Sequence, residues 1–88
     1  MEKSIHSAQY AIFLDTFRMV RKRAGVTQAE LARRTGETQS FVSKCERGER
    51  RIDLIELRTF CKAIGVSLKD FITAFEHRLY ARRGSTKR

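Results

Sequence analysis

The stretch TQAELARRTGETQSFVSKCERGERR, residues 27–51, decides how this chain folds. It reads as two short helices joined by a tight turn. Thr27 is a good N-cap residue, and Glu30, three positions on, can reach back to complete a capping box. Leu31 then gives an apolar contact, and Ala32 is small enough to let a second helix cross closely. Gly36 accepts the left-handed conformation that ends a helix, because it has no Cβ to clash. Thr38 caps the next segment. There Val42 and Cys45, three apart, form an inward face, so Gln39, Ser40, Ser43 and Lys44 fall on the outward one. A connection as short as Thr35–Thr38 holds its two helices at a fixed, steep angle.

Outward from this unit the same punctuation recurs. The glycines Gly25, Gly36, Gly48, Gly65 and Gly84 stand where helices are expected to end, dividing the chain into five helices. Capping boxes are expected at Thr27–Glu30, Asp53–Glu56 and Ser67–Asp70, each with a hydrophobic staple: Val26 with Leu31, Ile52 with Leu57, Val66 with Phe71. Apolar residues recur at helical spacing in three stretches: Tyr10, Phe13, Leu14, Phe17, Val20 and Ala24; Leu57, Phe60, Cys61 and Ile64; Leu68, Phe71, Ile72, Phe75 and Leu79. These stripes predict core faces. The expectation is an all-α, compact five-helix domain over 8–82, with a flexible N-terminus, 1–7, and a flexible basic tail, 83–88.

Composition fits that class. The 88 residues suffice for one modest core, 41% are apolar and none is proline. The net charge of +9 is uneven: residues 18–51 carry +6 and residues 78–88 carry +5, while the rest is slightly acidic. Basic charge gathered in this way suits a polyanion. No apolar run approaches the roughly 20 residues of a membrane span, and no secretory stretch opens the chain, so a soluble, cytoplasmic protein without membrane contact is expected. Cys45 and Cys61 are expected as buried free thiols. No metal-ligand spacing, glycine-rich phosphate loop or nucleophile elbow is present, so neither a metal or other cofactor nor catalysis is expected.

The quoted stretch, with Thr-Gln-x-x-Leu-Ala, a central glycine and Glu-x-Gly after the second segment, resembles the Cro/repressor-type (XRE-type) helix-turn-helix family, the lambda-repressor-like DNA-binding domains. The resemblance covers roughly 10–76. It implies that Gln28–Arg47 is the helix-turn-helix and that the segment from Gln39 reads double-stranded DNA. Gln39 and Ser40 would meet base edges, with Ser43 and Lys44 facing the groove one turn on. Gln28 would bond a phosphate and buttress Gln39, and Thr27 would lie with it on the backbone. Arg47, Arg50 and Arg51 match the loop that grips the flanking backbone, and Arg21 and Glu46 match a partly buried ion pair of some relatives. The chemistry agrees: glutamine can bond adenine N6 and N7 together, and lysine can donate to guanine. Phe41 lies between the two faces, and either packs on the fourth helix or touches sugar or a thymine methyl. Cys45 stands where relatives usually carry a larger apolar residue. Glu49 would repel phosphate unless an arginine pairs with it.

The function expected is transcription regulation, as a repressor, by a homodimer on a palindromic operator in a bacterium or phage. Candidate dimer surfaces are the Gly48–Asp53 loop with the fourth helix, or Leu79 and Tyr80 late in the fifth. The tail from Arg78 either adds phosphate contacts or is disordered. The alternative is an antitoxin or adaptor that binds a protein partner such as a toxin, with DNA binding secondary.

Overall fold

The computed structural model describes the backbone of residues 2–87 and the side chains of residues 8–81. It contains five helices and, among the described residues, no strand: α1 (Glu2–Arg23), α2 (Gln28–Thr35), α3 (Gln39–Glu46), α4 (Leu54–Ile64) and α5 (Leu68–Lys87). The stretches expected to be flexible, 1–7 and 83–88, lie outside the described side chains.

Helix starts follow the caps read from the sequence, with one correction. Thr27, Thr38, Asp53 and Ser67 each accept from the backbone N–H three residues on, those of Glu30, Phe41, Glu56 and Asp70. Only Asp53–Glu56 closes the full reciprocal box, with Glu56 Oε1 accepting from the Asp53 N–H at 3.0 Å. Glu30 instead binds Arg33 and Arg34 on its own helix, where charge-assisted bonds outcompete a neutral amide. Asp70 is one methylene shorter than the glutamate of a standard box.

Four of the glycines, Gly25, Gly36, Gly48 and Gly65, have positive φ. The expectation for Gly84 fails, since α5 continues to Lys87. Gly48 carries a second constraint: a Cβ there would lie 3.2 Å from Leu14 Cδ1, whereas a Cβ on Gly36 would meet nothing within 4 Å.

The core joins all five helices. Phe17, Leu31, Val42 and Cys45 are fully buried, and Phe60, Cys61 and Phe71 nearly so. Its aromatic rings form a continuous series. Tyr10 meets Phe13 at 5.1 Å between centroids, Phe13 meets Phe71 edge-on at 5.7 Å, and Phe17 bridges Phe71 at 6.4 Å to Phe60 at 5.4 Å. Phe41 on α3 completes the series against Phe60. Such tilted and edge-on pairs add about 0.5–1.5 kcal/mol each beyond area burial. Ile72 departs from its stripe and is 40% exposed, and Ala24 is exposed as well. Thr16 is fully buried on the α1 inner face, where its hydroxyl donates to the Ile12 carbonyl at 2.8 Å. That bond satisfies a polar group inside the stripe, and so hides it from a purely apolar reading.

Polar ties close the outside. Arg78 on α5 binds Asp15 on α1 at 2.8 Å, so the basic tail does not begin as free charge at this residue. Arg34 donates to the Ala63 carbonyl at 2.7 Å and joins α2 to the end of α4. Asp15, Glu30 and Glu56 are all held below the ordinary carboxylate range, chiefly by Arg78, Arg33 and Arg50 respectively, with Glu30 brought down to about 2. A depressed folded-state value adds stability that is present above the unfolded value and lost as pH falls through the folded one. Burial raises both thiols, Cys61 to about 11.

Three outcomes are expected. Gly48→Ala lowers stability by about 1–3 kcal/mol, and by more than Gly36→Ala, in urea melts. The melting temperature falls between pH 5 and pH 2 at constant ionic strength, as the paired carboxylates protonate. Cys45 and Cys61 react with a thiol reagent at neutral pH only at the rate of unfolding.

Candidate nucleic-acid interface

The α2–α3 unit rests on one carboxylate. Glu46, the last residue of α3, is 2% exposed. Its Oε2 accepts from Arg21 Nε at 2.5 Å and its Oε1 from Arg21 Nη2 at 2.9 Å. Oε1 also accepts from Gln28 Nε2 at 2.9 Å. The remaining Arg21 nitrogen donates to the Val26 carbonyl at 2.9 Å, and Arg18 donates to the Glu46 backbone carbonyl at 2.7 Å. The pair implied by resemblance is therefore present and is buried rather than partly so. It locks α1, the start of α2 and the end of α3 together.

With α3 anchored by Val42, Cys45 and Glu46, its opposite face is open. Gln39, Ser40 and Lys44 are exposed and Ser43 is half-buried. Gln39 stands beside the start of α2, in a concavity it shares with Lys22, Thr27, Gln28 and Ala29. The first N–H groups of α2 have no intrahelical acceptors, and a helix N-terminus favours anions. Lys22 is an addition to the expected set. Its signal in the sequence is its place in the last turn of α1, five residues before the Thr27 cap. Gln28 is held by Glu46 rather than engaged as a buttress of Gln39.

The arginines of the α3–α4 loop are more committed than a basic run suggests. Arg47 binds Glu49 at 2.8 Å and donates to Ser43 Oγ. Arg50 binds Glu56 at 2.8 Å and lies over the Phe41 ring, 4.7 Å from its centroid. Arg51 lies over the Tyr10 ring at 4.4 Å, and the Tyr10 hydroxyl accepts from the Ile52 N–H at 2.9 Å. Phe41 is thus a packing residue, between Phe60 and Arg50. Cys45 is fully buried. Lys22, Lys44 and Arg51 meet no acid at ion-pair distance among the described residues.

Residues 17–71 match the family model described as "Helix-turn-helix". The chain belongs to the XRE-type helix-turn-helix family. It is 46% identical to an XRE-family like protein from Pseudomonas syringae pv. tomato str. DC3000, whose solved structure superposes with a TM-score of 0.79 over 86% of this chain and 93% of that one. It is 37% identical over 57 residues to an uncharacterized HTH-type transcriptional regulator, y4dJ, of Sinorhizobium fredii (strain NBRC 101917 / NGR234), covering 65% of this chain and 74% of that protein. No helix of the described residues is long and apolar enough to cross a membrane, and no group of three or more potential metal ligands occurs among them.

Removing one partner of a buried ion pair strands the other charge. Glu46→Ala is expected to lower stability by about 3–5 kcal/mol, read in urea melts. A loss below about 1 kcal/mol, the level of an exposed pair, would contradict the locking role.

Proposed function

We propose that this chain is a sequence-specific double-stranded DNA-binding transcription regulator. It acts as a repressor, in the bacterial cytoplasm, as a homodimer on a palindromic operator. The observation that carries this reading is the acid-free outer face of α3, Gln39, Ser40, Ser43 and Lys44, presented on a helix whose inner face is locked into the core. Family membership and the similarity to the Sinorhizobium HTH-type transcriptional regulator support it.

In this reading Gln39 and Lys44 supply base-edge donors and acceptors, with Ser40 beside Gln39. Thr27 and Gln28, at the start of α2, and Lys22, in the last turn of α1, hold a phosphate. Arg51, with no acid partner among the described residues, and Arg50 steady the flanking backbone. A helix of eight residues reads only a few base pairs. Useful specificity then needs two such helices, about 34 Å apart on two half-sites.

A groove lined by Tyr10, Phe13, Ile52, Leu54, Leu57 and Phe75 favours a second reading. Leu54 at its edge is 61% exposed, and its neighbour Ile55 is 70% exposed. Here the chain is a protein-interaction module, an antitoxin or adaptor, with DNA binding secondary.

Selection from random duplex DNA with the full chain separates the two. A defined palindrome bound by two copies is the outcome expected of the regulator; the absence of any preferred sequence would sink it. On the selected site, Gln39→Ala with Lys44→Ala should weaken binding by about 1–3 kcal/mol for each bidentate base pairing it removes. Arg51→Ala should instead weaken binding to all sequences alike and reduce the slope of log affinity against log salt by about 1.

A further inference from the structure

Family resemblance places Arg47 in the loop that grips the DNA backbone, but its surroundings fit a different task. It caps α3 with helical φ and ψ of −86° and −4°, so its side chain continues the helical pattern. At about 100° per residue, Gln39, Ser43, Arg47, Ser40 and Lys44 follow one another around one arc of α3. Arg47 falls near the middle of that arc. It is part of the reading face, at its C-terminal end.

Its guanidinium is also held. Nε donates to Glu49 Oε2 at 2.8 Å and Nη2 donates to Glu49 Oε1 at 3.2 Å, so one bidentate edge faces the carboxylate. Nη1 donates to Ser43 Oγ, one turn back on the same face. A guanidinium has five N–H groups in a fixed fork, and these three bonds use three of them. The two left over are one on Nη1 and one on Nη2, the paired terminal nitrogens of the group. Arg47 is thereby folded over the α3 face, and what it offers is a planar pair of donors.

Two acceptors match such a fork: a phosphate, and the O6 and N7 edge of guanine. Glu49 decides between them. A phosphate at the fork would sit within a few ångströms of a carboxylate that Arg47 and Lys44 keep ionised. The acid already neutralises the arginine and would repel the phosphate. The edge of guanine carries no net charge, so the acid orients the fork without opposing the ligand.

We propose that Arg47 reads a guanine in the major groove, and that Ser43 and Glu49 act as positioning residues for it. This rests on the DNA-binding reading above. It reassigns Ser43 from base contact to support and Arg47 from backbone to base.

The test is selection and competition binding on duplex DNA with the full chain, comparing wild type, Arg47→Lys and Glu49→Gln. The substituted side chains are about half exposed, at 53% and 54%, and thermal melts check that each variant folds. Lysine keeps the charge but loses the fork. Both variants should lose preference at the same single G·C pair, with discrimination there falling about five- to hundred-fold. Replacing that guanine by 7-deazaguanine should weaken wild type and leave Arg47→Lys nearly indifferent. Glu49→Gln should at the same time bind scrambled DNA more tightly, since it removes a negative charge. The proposal is overturned if Glu49→Gln binds every sequence more tightly with an unchanged motif, because Arg47 is then a phosphate clamp that the acid restrains. A wild type that selects no motif would remove the DNA-binding reading itself. A motif that both variants leave intact would remove only this one.

Discussion

The buried carboxylate of Glu46 is the contact on which the geometry of the domain depends. A helix of eight residues has almost no stability of its own, so α3 holds its position only through what it touches. Val42 and Cys45 bury its inner face, but apolar contacts alone tolerate rotation and sliding. The fork of Arg21 does not. Its two bonds to Glu46 fix the angle of the carboxylate, and its third, to the Val26 carbonyl, fixes that fork against the turn before α2. Gln28 then completes the set from α2. A buried pair of this kind is a weak source of net stability, because desolvation offsets much of the attraction. Its value here is in position, since three helices meet the same two oxygens or the same guanidinium.

Charge looks different once the partners are known. The basic excess of residues 18–51 points to a polyanion, yet Arg18, Arg21, Arg33, Arg34, Arg47 and Arg50 all meet a carboxylate. Most exposed pairs of this sort add little to stability. They do decide which cations are available to a ligand. Lys22, Arg23, Lys44 and Arg51 are the cations of this segment that face solvent without such a partner among the described residues. The long-range pull of the domain on DNA is set by its total charge, while close contact is shared among fewer side chains than the count suggests.

Much of the architecture is legible in the sequence because its signals are local. A threonine cap, a glycine with positive φ and an apolar residue every third or fourth position each act within a turn of helix. The readings that fail depend on what lies across the fold or on competing neighbours. Glu30 has the spacing to reach back to Thr27 and instead finds two arginines. Ile72 fits the apolar spacing of α5 but stands at the edge of the covered stripe. Arg78 belongs by sequence to a basic tail and by contact to Asp15 on α1. The outer residues of α3 are legible from periodicity and resemblance. The surroundings of Lys22 and Glu49 are not, because they depend on the turn of α1 into α2 and on which acid an arginine meets.

The contact of Tyr10 with the α3–α4 loop has a consequence for how this domain tolerates change in length. Surface loops usually accept insertions and deletions freely. This one is pinned at several points: Gly48 lies against Leu14, Arg51 lies on the Tyr10 ring, and the next N–H, that of Ile52, reaches the Tyr10 hydroxyl. One added residue would put the ring contact and the hydroxyl bond out of step with the Asp53 cap that starts α4. Though it lies largely at the surface, the loop behaves as a measured spacer, and variation in its length is expected to be as restricted as variation in the core.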